Sequence, residues 1–184
     1  MKKGESGIGT LIIFIAMLLV AAIAAGVLIQ TTTSLHNKAL ITGQASKAQI
    51  STHMDVISIA GINGSDADIE NITIIAKLSA GSEPIDLTKL VLVVDSPSAS
   101  QTLQYGDNTS DTALFIVTYL QNATDHQNGS LKFGDIIQVN VALTTDLTEN
   151  QQARFDFIPK VGLATSVEVL TPDIMSQYRI HLYP

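Results

Sequence analysis

Five of the chain's eight asparagines stand two places ahead of a serine or threonine: Asn63-Gly64-Ser65, Asn71-Ile72-Thr73, Asn108-Thr109-Ser110, Asn122-Ala123-Thr124 and Asn128-Gly129-Ser130. With 33 serines and threonines in 184 residues, random placement gives about one or two such triplets. The pattern is that of acceptor sites for N-linked sugar, whose bulk requires a side chain turned to water. Asn63, Asn108 and Asn128 fall in turn-rich stretches, Asn122 lies just past an expected strand, and Asn71 enters one. The plainer alternative is a Ser/Thr-rich secreted surface whose triplets go unused.

Other chemistry is scarce. There is no phosphate-binding GxxxxGK[ST], no HExxH, no GxSxG and no cysteine, which points away from an enzyme. His36, His53, His126 and His181 are scattered, and the first two are too far apart on the expected helix to share a metal. They read as solvated or interface histidines. Asp66-Ala67-Asp68-Ile69-Glu70 and Asp107-Asn108-Thr109-Ser110-Asp111 offer oxygens of the kind structural calcium accepts, without the spacing or glycine of an EF-hand loop. Solvated turns explain them as well, so no cofactor and no metal ligand is assigned. A net charge of -7 disfavours nucleic acid as a partner and favours a soluble, self-repelling surface.

The element that organises the chain is residues 8–29, an uncharged apolar run. As a helix it would be about 33 Å long, the hydrocarbon thickness of a bilayer. It is apolar on every side, so lipid or other helices must surround it. Lys2 and Lys3 precede it, which places the N-terminus in the cytoplasm and the rest outside. The run exceeds a secretory signal core and a helical pattern continues past it, so the segment is expected to stay with the protein. Gln30 onward is polar but free of proline. Leu35, Ala39, Ala45, Ala48, Ile50, Met54 and Ile57 recur at helical spacing, which predicts one helix from about Ser6 to about Ser58. Thr31, Thr32, Thr33 and Gly43 are its weak points, with glycine costing about 1 kcal/mol relative to alanine.

Past the turn at 63–66 the period changes to two. Strands are expected at 71–78, 89–95 (buried on both faces), 102–105, 113–120, 135–143, 153–158, 165–170 and 178–182. Eight short strands between Gly, Pro, Asn, Asp and Ser clusters predict an antiparallel sandwich of immunoglobulin-like architecture. The expected fold is therefore α+β, a long N-terminal hydrophobic helix (residues 5–60) followed by a β-sandwich (61–184). The head, without disulfides, must hold by packing alone.

The run Lys2-Lys3-Gly4, then Glu5-Ser6-Gly7-Ile8-Gly9-Thr10-Leu11-Ile12-Ile13-Phe14-Ile15-Ala16-Met17, resembles the N-terminus of an archaellin, the archaeal flagellin of the archaellum filament. Phe157-Ile158-Pro159-Lys160-Val161-Gly162 and the ending Leu182-Tyr183-Pro184 are similar to archaellin C-termini. The resemblance covers the first third of the chain and its last thirty residues. It implies a class III signal peptide, residues 1–4, cut between Gly4 and Glu5 by a prepilin-peptidase-like enzyme on the cytoplasmic side. Loss of Lys2 and Lys3 would leave a net charge of -9. The resemblance also implies an immunoglobulin-like head, N-glycosylation, and self-assembly, alone or with paralogous archaellins, driven by an assembly ATPase and membrane platform.

In that reading the subunit rests transiently in the cytoplasmic membrane. It is then drawn into an extracellular filament for swimming, where Ile8, Leu11, Ile12, Phe14, Leu18 and Ile29 pack with neighbours. Ala16, Ala22, Ala25 and Gly26 allow those helices to approach closely. An archaeal adhesion pilin is the nearest alternative. Type IV pilins of bacteria carry a glutamate five places after the cut, where this chain has Gly9, which fits an archaellin better. A membrane-anchored immunoglobulin-like binding domain that never polymerises is the more distant one.

Overall fold

The computed structural model describes residues 2–63, 68–106 and 112–183, with side chains for all of these except 2–6 and Asn63. The chain divides into two compact units, Met1–Ser46 and Lys47–Pro184. Helix α1, Lys2–Ser51, is unbroken. The threonines do not interrupt it, because Thr31 and Thr33 donate their hydroxyls to the carbonyl oxygens of Leu28 and Ile29, both at 2.9 Å. Their capacity to compete with the backbone is thus used inside the helix.

The helix stops well short of the expected Ser58, and the boundary at residue 60 is corrected to Ser51. No glycine or proline marks the stop, because distant residues impose it. The Ser82 hydroxyl donates to the Ser51 carbonyl at 3.1 Å and the Leu163 N–H to the Thr52 carbonyl at 2.8 Å. These satisfy carbonyls that the end of a helix leaves orphaned. Residues beyond it form strand β1, Met54–Asn63, where a helical end and a turn were expected. A register shift between Val56 and Ser58 hides its alternation. Met54 and Val56 face the core before the bulge and Ile59 after it, so neither a period of two nor a clean helical face survives in the sequence.

The other strands among the described residues are β2 (Ile69–Leu78), β3 (Ile85–Asp86), β4 (Val91–Asp95), β5 (Ser100–Tyr105), β6 (Leu114–Gln121), β7 (Ser130–Leu131), β8 (Ile136–Leu147), β9 (Gln152–Ile158), β10 (Thr165–Leu170) and β11 (Arg179–Tyr183). The eight expected strands are all present, and β1, β3 and β7 are additional. Nine strands hydrogen-bond in the order β10-β9-β4-β5-β6-β8-β2-β1-β11, and β3 pairs with β7. Among the described residues every ladder is antiparallel except one, a correction to the all-antiparallel expectation: β5 meets β6 in parallel through Gln104 with Leu114 and Tyr105 with Phe115. That short join divides the sheet into layers of four and five strands, packed face to face as an immunoglobulin-like sandwich.

Leu92, Leu103, Phe155 and Phe157 of one layer meet Ile59, Ile72, Ile74, Phe115 and Val139 of the other, all fully buried. Strand β4 is less enclosed than expected, with Leu92 and Val94 buried but Val91 and Val93 only half so; Leu87–Lys89 is a 3-10 turn. Gln101 fastens β5 to β8 beside the parallel join. Its amide donates to the Ala142 carbonyl and its side-chain oxygen accepts from the Thr144 N–H, both at 3.0 Å.

Candidate assembly surface

The helix within Met1–Ser46 buries none of its apolar side chains. From Ile8 to Ile29 its large hydrophobic residues are between 53% and 70% exposed, on all sides. Ile13, Ala16, Met17, Val20, Ala21 and Ala24 line a groove on one face. At 100° per residue, Ile8, Leu11, Leu18, Ala22, Gly26 and Ile29 lie opposite, with Ile12, Phe14 and Ala25 flanking. Small residues occur on both faces. A Cβ added at Gly26 meets nothing within 4 Å, so the chain's own packing gives no reason for that glycine. Thr10, the hydroxyl inside the apolar run, donates to the Gly7 carbonyl at 2.9 Å. No backbone or hydroxyl group of the run therefore needs water, the condition for a helix in lipid or among other apolar helices.

Gly4 and Glu5 lie in the first turns of α1, and their side chains are outside the described residues. Of the asparagine triplets, Asn108 is outside them altogether, and the side chain of Asn63, at the end of β1, is not described. Asn71 is exposed on β2, hemmed by Ile62 of β1 and Ala142 of β8 in register. Asn122 is exposed just beyond β6, and Asn128 is exposed in a turn, its Oδ1 2.9 Å from His126 Nε2. The acidic cluster at 107–111 falls outside the described residues, as do Asp66 and Ala67 of the other; Asp68 and Glu70 are described.

Two polar clusters of the head are not marked by any motif in the sequence. Asp135, expected to begin a strand, is a fully buried carboxylate. Its Oδ1 accepts from the Ala123 N–H at 2.7 Å and its Oδ2 from the Lys132 N–H at 2.9 Å. Tyr119 stacks edge-on against His126 with centroids 4.3 Å apart and donates to the Ser130 carbonyl at 3.0 Å. The only sequence signal for this loop clasp was the Gly134-Asp135 turn after Phe133. On the outer side of β9, burial pushes the Asp156 carboxyl up. Hydrogen bonds from the Ser166 hydroxyl and the Arg154 guanidinium outweigh this and hold it below the usual carboxylate range. Arg154 Nε lies 3.0 Å from Asp156 Oδ1.

An apolar helix with nothing of its own to cover it, followed by an immunoglobulin-like sandwich, defines a class of subunit that is embedded or assembled through its N-terminal rod. Residues 4–169 match the family model described as archaeal-type flagellin, and the chain belongs to that family. It is similar to Flagellin B3 of Halobacterium salinarum, at 43% identity over 109 residues that cover 59% of this chain and 55% of that one. The chain thus spans about half the length of that relative. With Flagellin B1 of Methanocaldococcus jannaschii it is 32% identical over 98% of this chain and 95% of the other. Among solved structures, the archaeal flagellum of Methanospirillum hungatei shares its fold with a TM-score of 0.73 at 18% identity, covering 97% of this chain and 99% of that chain. The crystal structure of archaeal flagellin FlaB1 from Methanocaldococcus jannaschii does so at 0.66 and 23%, covering 72% and 97%. The family match runs through the middle of the head, where the residues alone gave no resemblance.

Proposed function

We propose that the chain is a structural subunit of the extracellular archaellum filament, polymerising through residues 8–29, with energy for assembly and rotation supplied by other proteins. The observation that carries this is the helix exposed on every side, with its internal hydroxyl already satisfied. Burying one large side chain contributes about 1.5 to 3 kcal/mol. Leu11, Ile12, Ile13, Phe14, Ile15, Leu18 and Leu19 offer this many times over, first to lipid and then to neighbouring helices. A prepilin-peptidase-like enzyme cuts between Gly4 and Glu5 while the helix lies in the cytoplasmic membrane. An assembly ATPase on a membrane platform then moves the subunit into a polymer of itself or of paralogous archaellins. Asn122, Asn128 and Asn71, exposed on the head, carry sugar on the outer face, and Asn63 and Asn108 are further acceptors.

Electron microscopy of sheared surface filaments, with mass spectrometry and N-terminal sequencing of the main band, tests the reading. The expected result is this chain beginning at Glu5, heavier than the bare polypeptide, in filaments whose loss on gene deletion abolishes swimming. Deletion that removes attachment but leaves swimming intact would instead indicate an adhesion pilin. A chain beginning at Met1 and found only in membranes would indicate an anchored binding domain.

A further inference from the structure

Of the four phenylalanines in the head, Phe115, Phe155 and Phe157 are fully buried, whereas Phe133 is 67% exposed. Its turn is braced and holds the ring out. The Asp135 N–H donates to the Lys132 carbonyl at 3.0 Å, the Lys132 N–H donates to Asp135 Oδ2 at 2.9 Å, and Gly134 sits at φ +95°. The same carboxylate reaches the other way, where its Oδ1 accepts from the Ala123 N–H at 2.7 Å. Ala123 is the middle residue of the Asn122-Ala123-Thr124 triplet, and a Cβ built on Gly134 would lie 3.4 Å from Ala123 Cβ. Gln121, Phe133 and Gly134 line one shallow depression. One buried carboxylate therefore holds the turn that carries the exposed Phe133 ring against the backbone on either side of Asn122.

The other acceptors are placed differently. Asn128 is engaged with His126, and Asn71 stands in a strand paired on both sides. Asn122 has left β6, and its amide makes no hydrogen bond among the described residues.

We propose that the sugar joined to Asn122 lies across the ring of Phe133, which acts as its stacking platform. This rests on the glycosylation reading above. The donor class is a sugar activated as an anomeric phosphate ester. The Asn122 amide nitrogen forms the new bond to the anomeric carbon, the carbon–oxygen bond to phosphate breaks, phosphate leaves with the electron pair, and the amide proton passes to solvent. The first sugar ring then presents a face of C–H groups to the electron-rich face of Phe133, the arrangement that an aromatic quadrupole favours. Both faces lose water.

The test uses full-length protein in filaments from the native host. Glycopeptide mapping is expected to show Asn122 occupied. Phe133→Ala is expected to lower the unfolding temperature of the head by about 2 to 4 °C in the glycosylated protein, and by less than about 1 °C in an Asn122→Gln background. Equal shifts in both backgrounds overturn the platform. An unmodified Asn122 beside sugar on other asparagines overturns it while leaving the glycosylation reading standing; a chain with no sugar at all overturns both. If Phe133→Ala does not accumulate, enzymatic removal of sugar from unmutated filaments serves instead. Tryptic cleavage after Lys132 should then accelerate several-fold, and an unchanged rate overturns the proposal.

Discussion

Asp135 ties the backbone just past β6 to the turn before β8, one residue beyond the last rung of the β6–β8 ladder at Gln121 and Ile136. Asp135→Ala leaves two amide donors without partners in a place that excludes water. It should cost the head about 3 kcal/mol, read as a lower denaturant midpoint, because hydrogen bonds to a charged group are worth roughly twice neutral ones. A loss below about 1 kcal/mol would mean that water replaces the carboxylate. Asp156 adds a pH dependence of definite sign. Its folded value is held down by Ser166 and Arg154 against the upward push of burial. Its contribution is therefore present above the unfolded value of about 4 and is lost as pH falls through the depressed folded value. Arg154→Ala should lower stability slightly at neutral pH, where an exposed pair contributes weakly, and leave it unchanged in acid, so that the fall below about pH 4 becomes shallower. An unaltered acid limb would assign that dependence to other carboxylates.

At the scale of elements, the end of α1 and the start of β1 hang on the β9–β10 hairpin. Gly162 has φ +118°, and a Cβ there would lie 2.5 Å from the Thr52 carbonyl oxygen. Gly162→Ala should cost the head more than about 2 kcal/mol by pushing the hairpin off the helix end. An unfolding temperature equal to that of the unmutated chain would show that the backbone simply shifts. This junction also explains what could be read in advance. The apolar run declares itself by composition, 71–78 by its run of β-branched residues buried on both faces, and 153–158 and 165–170 by alternation, since their shared ladder keeps one register. The stop at Ser51 does not, because Ser82 and Leu163 impose it from 30 and more residues away. Strand β1 has no legible period because its bulge resets the alternation, and β3 and β7 are too short to have one. For the candidate site, the exposed helix was legible from composition, whereas the clasp of Asp135 on Ala123 joins residues that no sequence pattern connects.

At the scale of the whole molecule, the two compact units predict separable behaviour. Residues 47–184 expressed alone should be monomeric and unfold cooperatively, because the sandwich core takes no side chain from the apolar run. Aggregation or a non-cooperative melt would show that the head depends on more of the helix. Ala22→Leu combined with Ala25→Leu in the full chain should, on the proposed assembly, block or reshape filaments while leaving the head's melt unchanged, since the sandwich core contains neither residue. Normal filaments from that double variant would count against close helix packing. The internal pairing of Thr10, Thr31 and Thr33 bears on how such a rod changes surroundings. In the assembly proposed above each hydroxyl travels with its own acceptor, so passage from fatty acyl tails to protein neighbours would break no polar bond and strip no water. One oily environment is exchanged for another of similar polarity, and the work that assembly demands goes into direction and order.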